Sequence, residues 1–424
     1  MISRTIKEEI ENYFRNKKEE FIPGESRIKV GIPTYDHEEV LNVLEVLYSG
    51  RISEGIKTKE FEENFASYIG AKYAIAVNSG SSANLLALDA LLQSGRIKRG
   101  DEVIIPAATF ATVASPIIQL GLVPHFVDVD AESYNIDPNE VEKAVNDRTR
   151  VLMPVHTLGM PADIDKLSEI AKKNDLIMFE DCCEAHGSEY KGKRVGTFGL
   201  AGSFSFFVAH NMTTGDGGML VTDSEEIKDR VKSIRTFGRA LGKEDFDNAV
   251  LKDFPLFKDY HKNQTFLTLG YNMRMTDLQA AFGIAQLKKL DWNNEARRKN
   301  AEFYSRYLSA YKNFIQVPIE KNWAKHVYYG YPIIIKKGVS FTRKELEEHL
   351  NSHNVDTRPF FGGCLPDQPA FKNQNIKIQG ELPVSRWIRD NGFFIGVHSE
   401  IGEREREYVV SLFKKFFSYK THES

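Results

Sequence analysis

From Tyr73 onward the chain alternates short apolar or β-branched runs with longer stretches of helical periodicity. The short runs fall at 73–77, 102–106, 125–129, 151–155, 176–180, 203–207 and 218–222. Strands that are apolar on both faces and separated by helices predict a mostly parallel sheet with helices on either side. Ahead of this region, residues 1–20 read as a polar helix, 35–49 as a helix closed by Gly50 and 58–69 as another closed by Gly70. Glycine is the residue that commonly terminates helices. A further helix starts near Thr276 and runs through Leu290 and beyond. After it the pattern changes to an apolar strand at 329–335, a helix near 342–351, a strand at 355–358 and an amphipathic helix at 403–419. The expected fold class is α/β, with a large domain (residues 1–290, including an N-terminal segment) and a small α+β domain (291–424). Residues 236–269 combine charge, aromatic rings and asparagine without periodicity and are read as a long loop, a feature that tends to be functional.

Composition narrows the class of activity. A length of 424 residues exceeds what one hydrophobic core accommodates, which agrees with two domains. Lysine plus arginine number 56 against 59 acidic residues, a net charge of −3. That balance points away from nucleic acid and from an acidic tail, leaving a small-molecule enzyme. The three cysteines (Cys182, Cys183, Cys364) show neither disulfide nor metal-ligand spacing, so a reducing cytosol and no metal are expected. No run of about 18 apolar residues is present, and the N-terminus lacks the apolar core of a signal peptide. The expected location is cytoplasmic, with no membrane partner.

Four segments carry chemistry. Asn78-Ser-Gly-Ser-Ser-Ala-Asn84 follows a strand and opens a helix, so free N–H groups, hydroxyls and Gly80 could hold a phosphate; a merely capped turn is the alternative. Glu180-Asp-Cys-Cys-Glu-Ala-His-Gly187 follows a buried strand, and Asp181 there points to the crevice at the strand ends. It could pair with a protonated pyridine nitrogen or simply cap the turn. His186 is read as packing near the site, and Cys182 and Cys183 as small buried residues. Phe110, in Pro106-Ala-Ala-Thr-Phe110, could stack on a flat ring or belong to the core. The fourth segment is Ser203-Phe-Ser-Phe-Phe-Val-Ala-His210, followed by a glycine-rich turn to Gly218. Ser205 could add a hydroxyl to the phosphate site. An imidazole has no primary amine, so it cannot bond covalently to an aldehyde, yet it moves protons near neutral pH.

In order and spacing these motifs resemble the fold-type I enzymes dependent on vitamin B6, within the DegT/DnrJ/EryC1/StrS family of sugar aminotransferases and dehydratases. The resemblance spans roughly 27–418 and includes His156-Thr-Leu-Gly159, Leu269-Gly-Tyr-Asn272, Thr357-Arg358 and Gln368-Pro369. It is strongest to the nucleotide-linked 4-keto-6-deoxyhexose 3-dehydratases, in which histidine replaces the cofactor-binding lysine, here at His210. The resemblance implies that Gly80, Ser81 and Ser205 hold the phosphate of a non-covalent pyridoxamine or pyridoxal 5′-phosphate, and that Phe110 stacks on its ring. It also implies that Asp181 meets the ring nitrogen, Glu184 approaches the ring hydroxyl and His210 is the acid–base group. Asn272 would reach the phosphate of a neighbouring subunit, making a homodimer with shared sites, and Arg358 would touch the nucleotide diphosphate. The substrate implied is a nucleotide-diphospho-4-keto-6-deoxy sugar that loses its 3-oxygen, with the amine form of the cofactor restored from L-glutamate. Some members hold a [2Fe–2S] centre on cysteines between the histidine and the Gly-Tyr-Asn motif. The interval 211–269 contains no cysteine, so the cluster-free route is expected. The alternatives are a sugar aminotransferase, an inactive lysine-to-histidine form of one, or a non-catalytic cofactor-binding protein.

Overall fold

Seven of the apolar runs form strands: β1 (Tyr73–Val77), β2 (Glu102–Pro106), β3 (Val123–Val127), β4 (Thr149–Leu152), β5 (Ile177–Asp181), β6 (Ala201–Ser205) and β7 (Gly218–Thr222). The structure, a computed structural model, describes residues 2–17, 20–241, 253, 256 and 264–422. With a distant two-residue strand, β8 (Lys377–Ile378), they make one eight-stranded sheet in the order β1-β7-β6-β5-β4-β2-β3-β8. Pairing is parallel from β6 to β8, and antiparallel only where β7 inserts between β1 and β6. The sheet is therefore mostly parallel, as its unbroken apolar strands require.

Helix Gly80–Gln93 packs on β6 and β7 and against helices Ala111–Gln119 and Glu225–Arg235. Its nearly all-round burial explains its run of alanine and leucine, and Leu86, Val103, Ile105, Phe126 and Phe179 share that core. The glycine stops at Gly50 and Gly70 occur as expected, both left-handed at φ 70° and 86°. A second core is built on a four-stranded antiparallel sheet of Ile315–Gln316, Tyr331–Ile335, Gly392–Ile395 and Thr357–Pro359. Tyr304, Tyr331, Phe393, Phe413 and Phe417 fill it.

The two units share chain more intimately than a division at residue 290 describes. The helix begun at Asp277 continues unbroken to Leu308, about 48 Å at 1.5 Å per residue, and so belongs to both. Phe21 and Ile28, from the N-terminal segment, lie in the small core, while β8 returns from the C-terminal part to the edge of the large sheet. Of the expected loop 236–269, most lies outside the described residues. Its two ends face each other in the bridges Arg239–Phe266 and Thr236–Asn272. Among the described residues no helix is long and apolar enough to cross a membrane.

Burial leaves several histidines neutral. It pushes His186, His326 and His398 each down to about 3, whereas it pushes the Glu184 carboxyl up to about 8. Between pH 4.5 and 6.5 the three imidazoles take up protons only when the chain unfolds, and Glu184 holds its proton only when folded. The unfolded state then binds more protons than the folded one, so stability is lost as pH falls. Urea titrations at pH 7.0 and 5.5 should show a clearly lower midpoint at the acid pH; equal midpoints would contradict neutral buried imidazoles.

Candidate active site

The C-terminal ends of β2 and β5 and the loops after β6 converge on a cavity of about 290 Å³. It lies where ligands bind in parallel sheets. Seven of the nine residues singled out from the sequence line it: Gly80, Ser81, Phe110, Asp181, Glu184, Ser205 and His210. No lysine lines it.

One corner is the start of helix Gly80–Gln93. Ser79 caps the helix by accepting the Ser82 N–H at 3.1 Å, and the Ser82 hydroxyl donates to Asn78 Oδ1 at 2.6 Å. The N–H groups of Gly80 and Ser81 belong to the first turn, where a helix has no internal partner for them and binds anions. Gly80 is needed for space. A Cβ there would stand 2.6 Å from Ser205 Cβ and 2.7 Å from Cys183 Sγ. Ser81 and Ser205 thus sit side by side at a helix N-terminus, a cradle with the donors and the room for a phosphate.

Along β5, side chains alternate between faces, which separates Glu180 from Asp181. Glu180 turns to the interior and accepts N–H groups of Gly196, Phe198 and Gly199 at 2.7–2.8 Å, and faces His156 Nε2 at 3.2 Å. His156, Glu180 and Cys182 lie close enough to hold a metal, but His156 Nδ1 already accepts Ala162 N–H and the Glu180 oxygens already have donors. The set is a backbone-fixing group. Asp181 turns to the cavity. Asn84 Nδ2 donates to its Oδ2 at 2.8 Å and Cys183 N–H to its Oδ1 at 3.0 Å, while Asn84 Oδ1 accepts the Ser203 hydroxyl at 2.6 Å. The carboxylate is therefore held from behind with lone pairs left for a ligand, suited to a flat heterocycle bearing an N–H. The bond to Cys183 fixes the turn after β5; no helix begins there for Asp181 to cap as an N-cap.

Glu184 stands half-buried in the wall, its Oε2 accepting Leu158 N–H at 2.8 Å. Burial raises its pKa, that single N–H opposes the shift, and the Asp181 charge adds to it. Glu184 thus keeps its proton at neutral pH, while Asp181 in the same cavity accepts two hydrogen bonds. The His156-Thr-Leu-Gly159 motif explains how the wall is assembled. Leu158 adopts a left-handed φ of 53°, sending its N–H to Glu184 and its carbonyl to the Tyr329 N–H at 2.8 Å. This joins the small unit to the cavity. Cys183, expected to be buried, instead lines the cavity half-buried, because it follows Asp181 on the turn. Burial first, and the Asp181 charge next, push its thiol well above the usual range, so it remains unreactive.

His210 closes a turn, its N–H donating to Phe207 carbonyl at 3.0 Å. Its ring lies 5.1 Å from that of Tyr329 and 5.8 Å from that of His186. Burial, with His186 and the Arg297 guanidinium adding, holds the imidazole well below the usual histidine range, leaving it neutral and able to accept a proton. His186 packs behind it between Phe204 and Phe206.

Asn272 and Arg358 do not line this cavity. Asn272 is exposed, with Oδ1 accepting Arg274 Nε at 3.1 Å. Arg358 is exposed on the strand Thr357–Pro359, near enough to act electrostatically on Tyr329, which does line the cavity. Asn84, Tyr329, Asn294 and Arg297 were missed from the sequence. Asn84 lies one helical turn after Gly80, which could have revealed it; Asn294 and Arg297 sit in a polar run indistinguishable from a solvated helix face.

The sheet order, the small antiparallel unit and a cavity at the strand ends lined by a helix start and Asp181 mark an aminotransferase fold of the pyridoxal phosphate type. The family model described as the DegT/DnrJ/EryC1/StrS aminotransferase family matches residues 33–414, and the chain belongs to that family. It is 37% identical over 96% of its length, and 90% of the relative's, to a dTDP-4-dehydro-2,6-dideoxy-D-glucose 3-dehydratase of Saccharopolyspora spinosa. Among solved structures it resembles the Escherichia coli GDP-4-keto-6-deoxy-D-mannose-3-dehydratase with bound hydrated PLP, with TM-score 0.84 and 34% identity, covering 91% of this chain and 98% of that one. It is similar also to a GDP-4-keto-6-deoxymannose-3-dehydratase with a trapped PLP-glutamate geminal diamine, with TM-score 0.83 and 32% identity, covering 91% and 99%.

Proposed function

We propose that the chain is a 3-dehydratase of a nucleotide-diphospho-4-keto-6-deoxy sugar, using non-covalent pyridoxamine 5′-phosphate regenerated from L-glutamate. The observation that carries this reading is the His210 imidazole lining one cavity with Asp181, Ser205 and the start of helix Gly80–Gln93, and no lysine lining it among the described residues. The names of the relatives support it. When bound, the cofactor supplies an amine for the 4-keto group and a conjugated ring that receives the electrons needed to expel the 3-hydroxyl.

The chain's residues do the rest. Gly80, Ser81 and Ser205 hold the phosphate, Phe110 covers the ring, and Asp181 keeps the ring nitrogen protonated by pairing with it. His210 takes the proton from the C4′ carbon and returns protons in the later steps, including those of the glutamate half-reaction. Arg358 contacts the nucleotide diphosphate. Asn272, exposed on this subunit, reaches the phosphate of a second one, making a homodimer with shared sites in the cytoplasm. The division into large (1–290) and small (291–424) domains falls within the helix Asp277–Leu308, which both units share.

Incubation with pyridoxamine phosphate, glutamate and a panel of nucleotide-linked 4-keto-6-deoxy sugars tests the reading. Mass spectrometry should show loss of the 3-oxygen together with released ammonia. An amino sugar retaining that oxygen would establish an aminotransferase instead. No turnover and no glutamate-dependent change in the cofactor spectrum would leave a cofactor-binding protein.

Glu184 adds a pH signature. Protonated up to about pH 8, it can donate a hydrogen bond to the ring oxygen, as an amide would. Activity should fall above that pH, and Glu184→Gln should retain the cofactor and lose this alkaline limb. An unchanged limb in that variant would assign the ionisation elsewhere.

A further inference from the structure

The long helix Asp277–Leu308 carries an unusual inward face. Gln286, Asn293, Asn294, Arg297 and Asn300 fall one, three or seven residues apart and are all buried, where a helix packed on a core normally shows apolar residues. Each spends its polarity on backbone from another segment. Asn293 Nδ2 donates to the Asn211 carbonyl at 2.5 Å, immediately after His210. Asn294 Nδ2 donates to the His186 carbonyl at 2.7 Å, while its Oδ1 accepts Asn211 Nδ2 at 2.7 Å. Gly187 makes this approach possible, since a Cβ there would stand 2.9 Å from Asn294 Nδ2. Arg297 Nη1 donates to the carbonyls of Tyr328 and Tyr329, at 3.3 and 3.1 Å.

His186 and Tyr329 are two of the residues, with Phe207, whose rings lie against the His210 imidazole. We propose that Asn294 and Arg297 are positioning residues for His210, one turn of a single helix holding the backbone of two of the rings that contact its imidazole. The inference rests on His210 as the acid–base group of the proposed dehydratase.

A purely structural purpose does not explain Arg297. It is fully buried, no carboxylate among the described residues pairs with it, and its Nε and Nη2 have no hydrogen-bond partner among them; nor has His210 Nδ1. Uncompensated buried charge is costly, and buried orphans of this density call for ordered water. Its positive charge acts on the imidazole in the same direction as burial and His186, against imidazolium formation. The other groups that bear on His210 are neutral His186 behind it, Tyr329 beside it, and Asp181, Glu184 and Asp216 across the cavity.

The test uses Asn294→Ala, Arg297→Lys, Arg297→Met and, as a control, Asn300→Ala. Asn300 lies on the same helix face and holds the carbonyls of Val397, His398 and Ile401, away from the imidazole. Loss of positioning by about an ångström lowers turnover on the order of 10²-fold, so Asn294→Ala should lose about 10–10² in kcat with KM nearly unchanged. Asn300→Ala should keep kcat within about twofold. An equal fall in both would overturn the proposal in favour of general loosening of the helix.

Titration of the His210 ring by NMR, on the full chain labelled at histidine and without cofactor or sugar, gives an independent readout. Arg297→Met should raise its midpoint towards the ordinary histidine value, and Arg297→Lys, which keeps the charge, should not. If Arg297→Met fails to fold, the proposal stands or falls on Arg297→Lys and Asn294→Ala, with Arg297→Lys expected to lower kcat without moving the midpoint. A midpoint unmoved in folded Arg297→Met would remove Arg297 from the device. Should the wild type act on no sugar while the NMR shift occurs, the dehydratase reading fails and the positioning of His210 remains.

Discussion

Replacing His210 by asparagine is expected to reduce formation of the 3-deoxygenated sugar on the order of 10²–10⁴-fold, the usual contribution of a positioned acid–base group. Asparagine keeps polarity and approximate size but moves no proton at neutral pH, and the phosphate cradle at Gly80, Ser81 and Ser205 is untouched. Cofactor affinity should therefore change little while turnover collapses; equilibrium binding and single-turnover product release measure the two separately. His210→Lys tests the same position differently. A lysine there, at a cavity that otherwise lacks one, could bond covalently to the aldehyde form of the cofactor. Dehydration should be suppressed and the absorbance of the bound aldehyde should change. Continued 3-deoxygenation in either variant would remove His210 from the mechanism.

The second large effect is expected at Asp181. Its carboxylate accepts from Asn84 Nδ2 and from Cys183 N–H, and Asn84 is itself fixed by the Ser203 hydroxyl. In Asp181→Asn the new amide has one acceptor where the site uses several, and its NH₂ must face Asn84, Cys183 or the ring N–H, all donors. Breaking a buried charge pair costs about 3–5 kcal/mol, which corresponds to a loss of at least about 10²-fold in kcat/KM. Steady-state rates at saturating pyridoxamine phosphate, with thermal unfolding to confirm a native fold, provide the measurement. Wild-type rates in this variant would mean that Asp181 serves only to cap the turn at Cys183.

How much of this site was legible in the chain follows from how local each feature is. The Gly80 cradle, Asp181 and His210 lie in short motifs directly after strands, where one residue's place on a turn determines where it points. They could be named before any fold was known. Asn294 and Arg297 are the opposite case. Their segment, Asp291-Trp-Asn-Asn-Glu-Ala-Arg-Arg-Lys-Asn300, looks solvated because polarity is its only visible property. Burial on this face comes from three remote backbone segments, around 187, 211 and 328, that bring carbonyls to it. Tyr329 was legible only as the start of a strand; its place beside His210 depends on the left-handed turn at Leu158, some 170 residues earlier in the chain.

By itself, then, the amino-acid order determined the alternating architecture, the phosphate-type helix start, the acidic group after β5 and the substitution of imidazole for a primary amine. All are read within a few residues, because strand periodicity, helix ends and side-chain chemistry are local properties. Only the folded chain decided which groups share one cavity, that Glu184 keeps its proton while Asp181 accepts hydrogen bonds, and that a buried polar helix face stands behind His210. Those depend on dielectric surroundings and on contacts between distant segments, and neither exists until the chain has closed on itself.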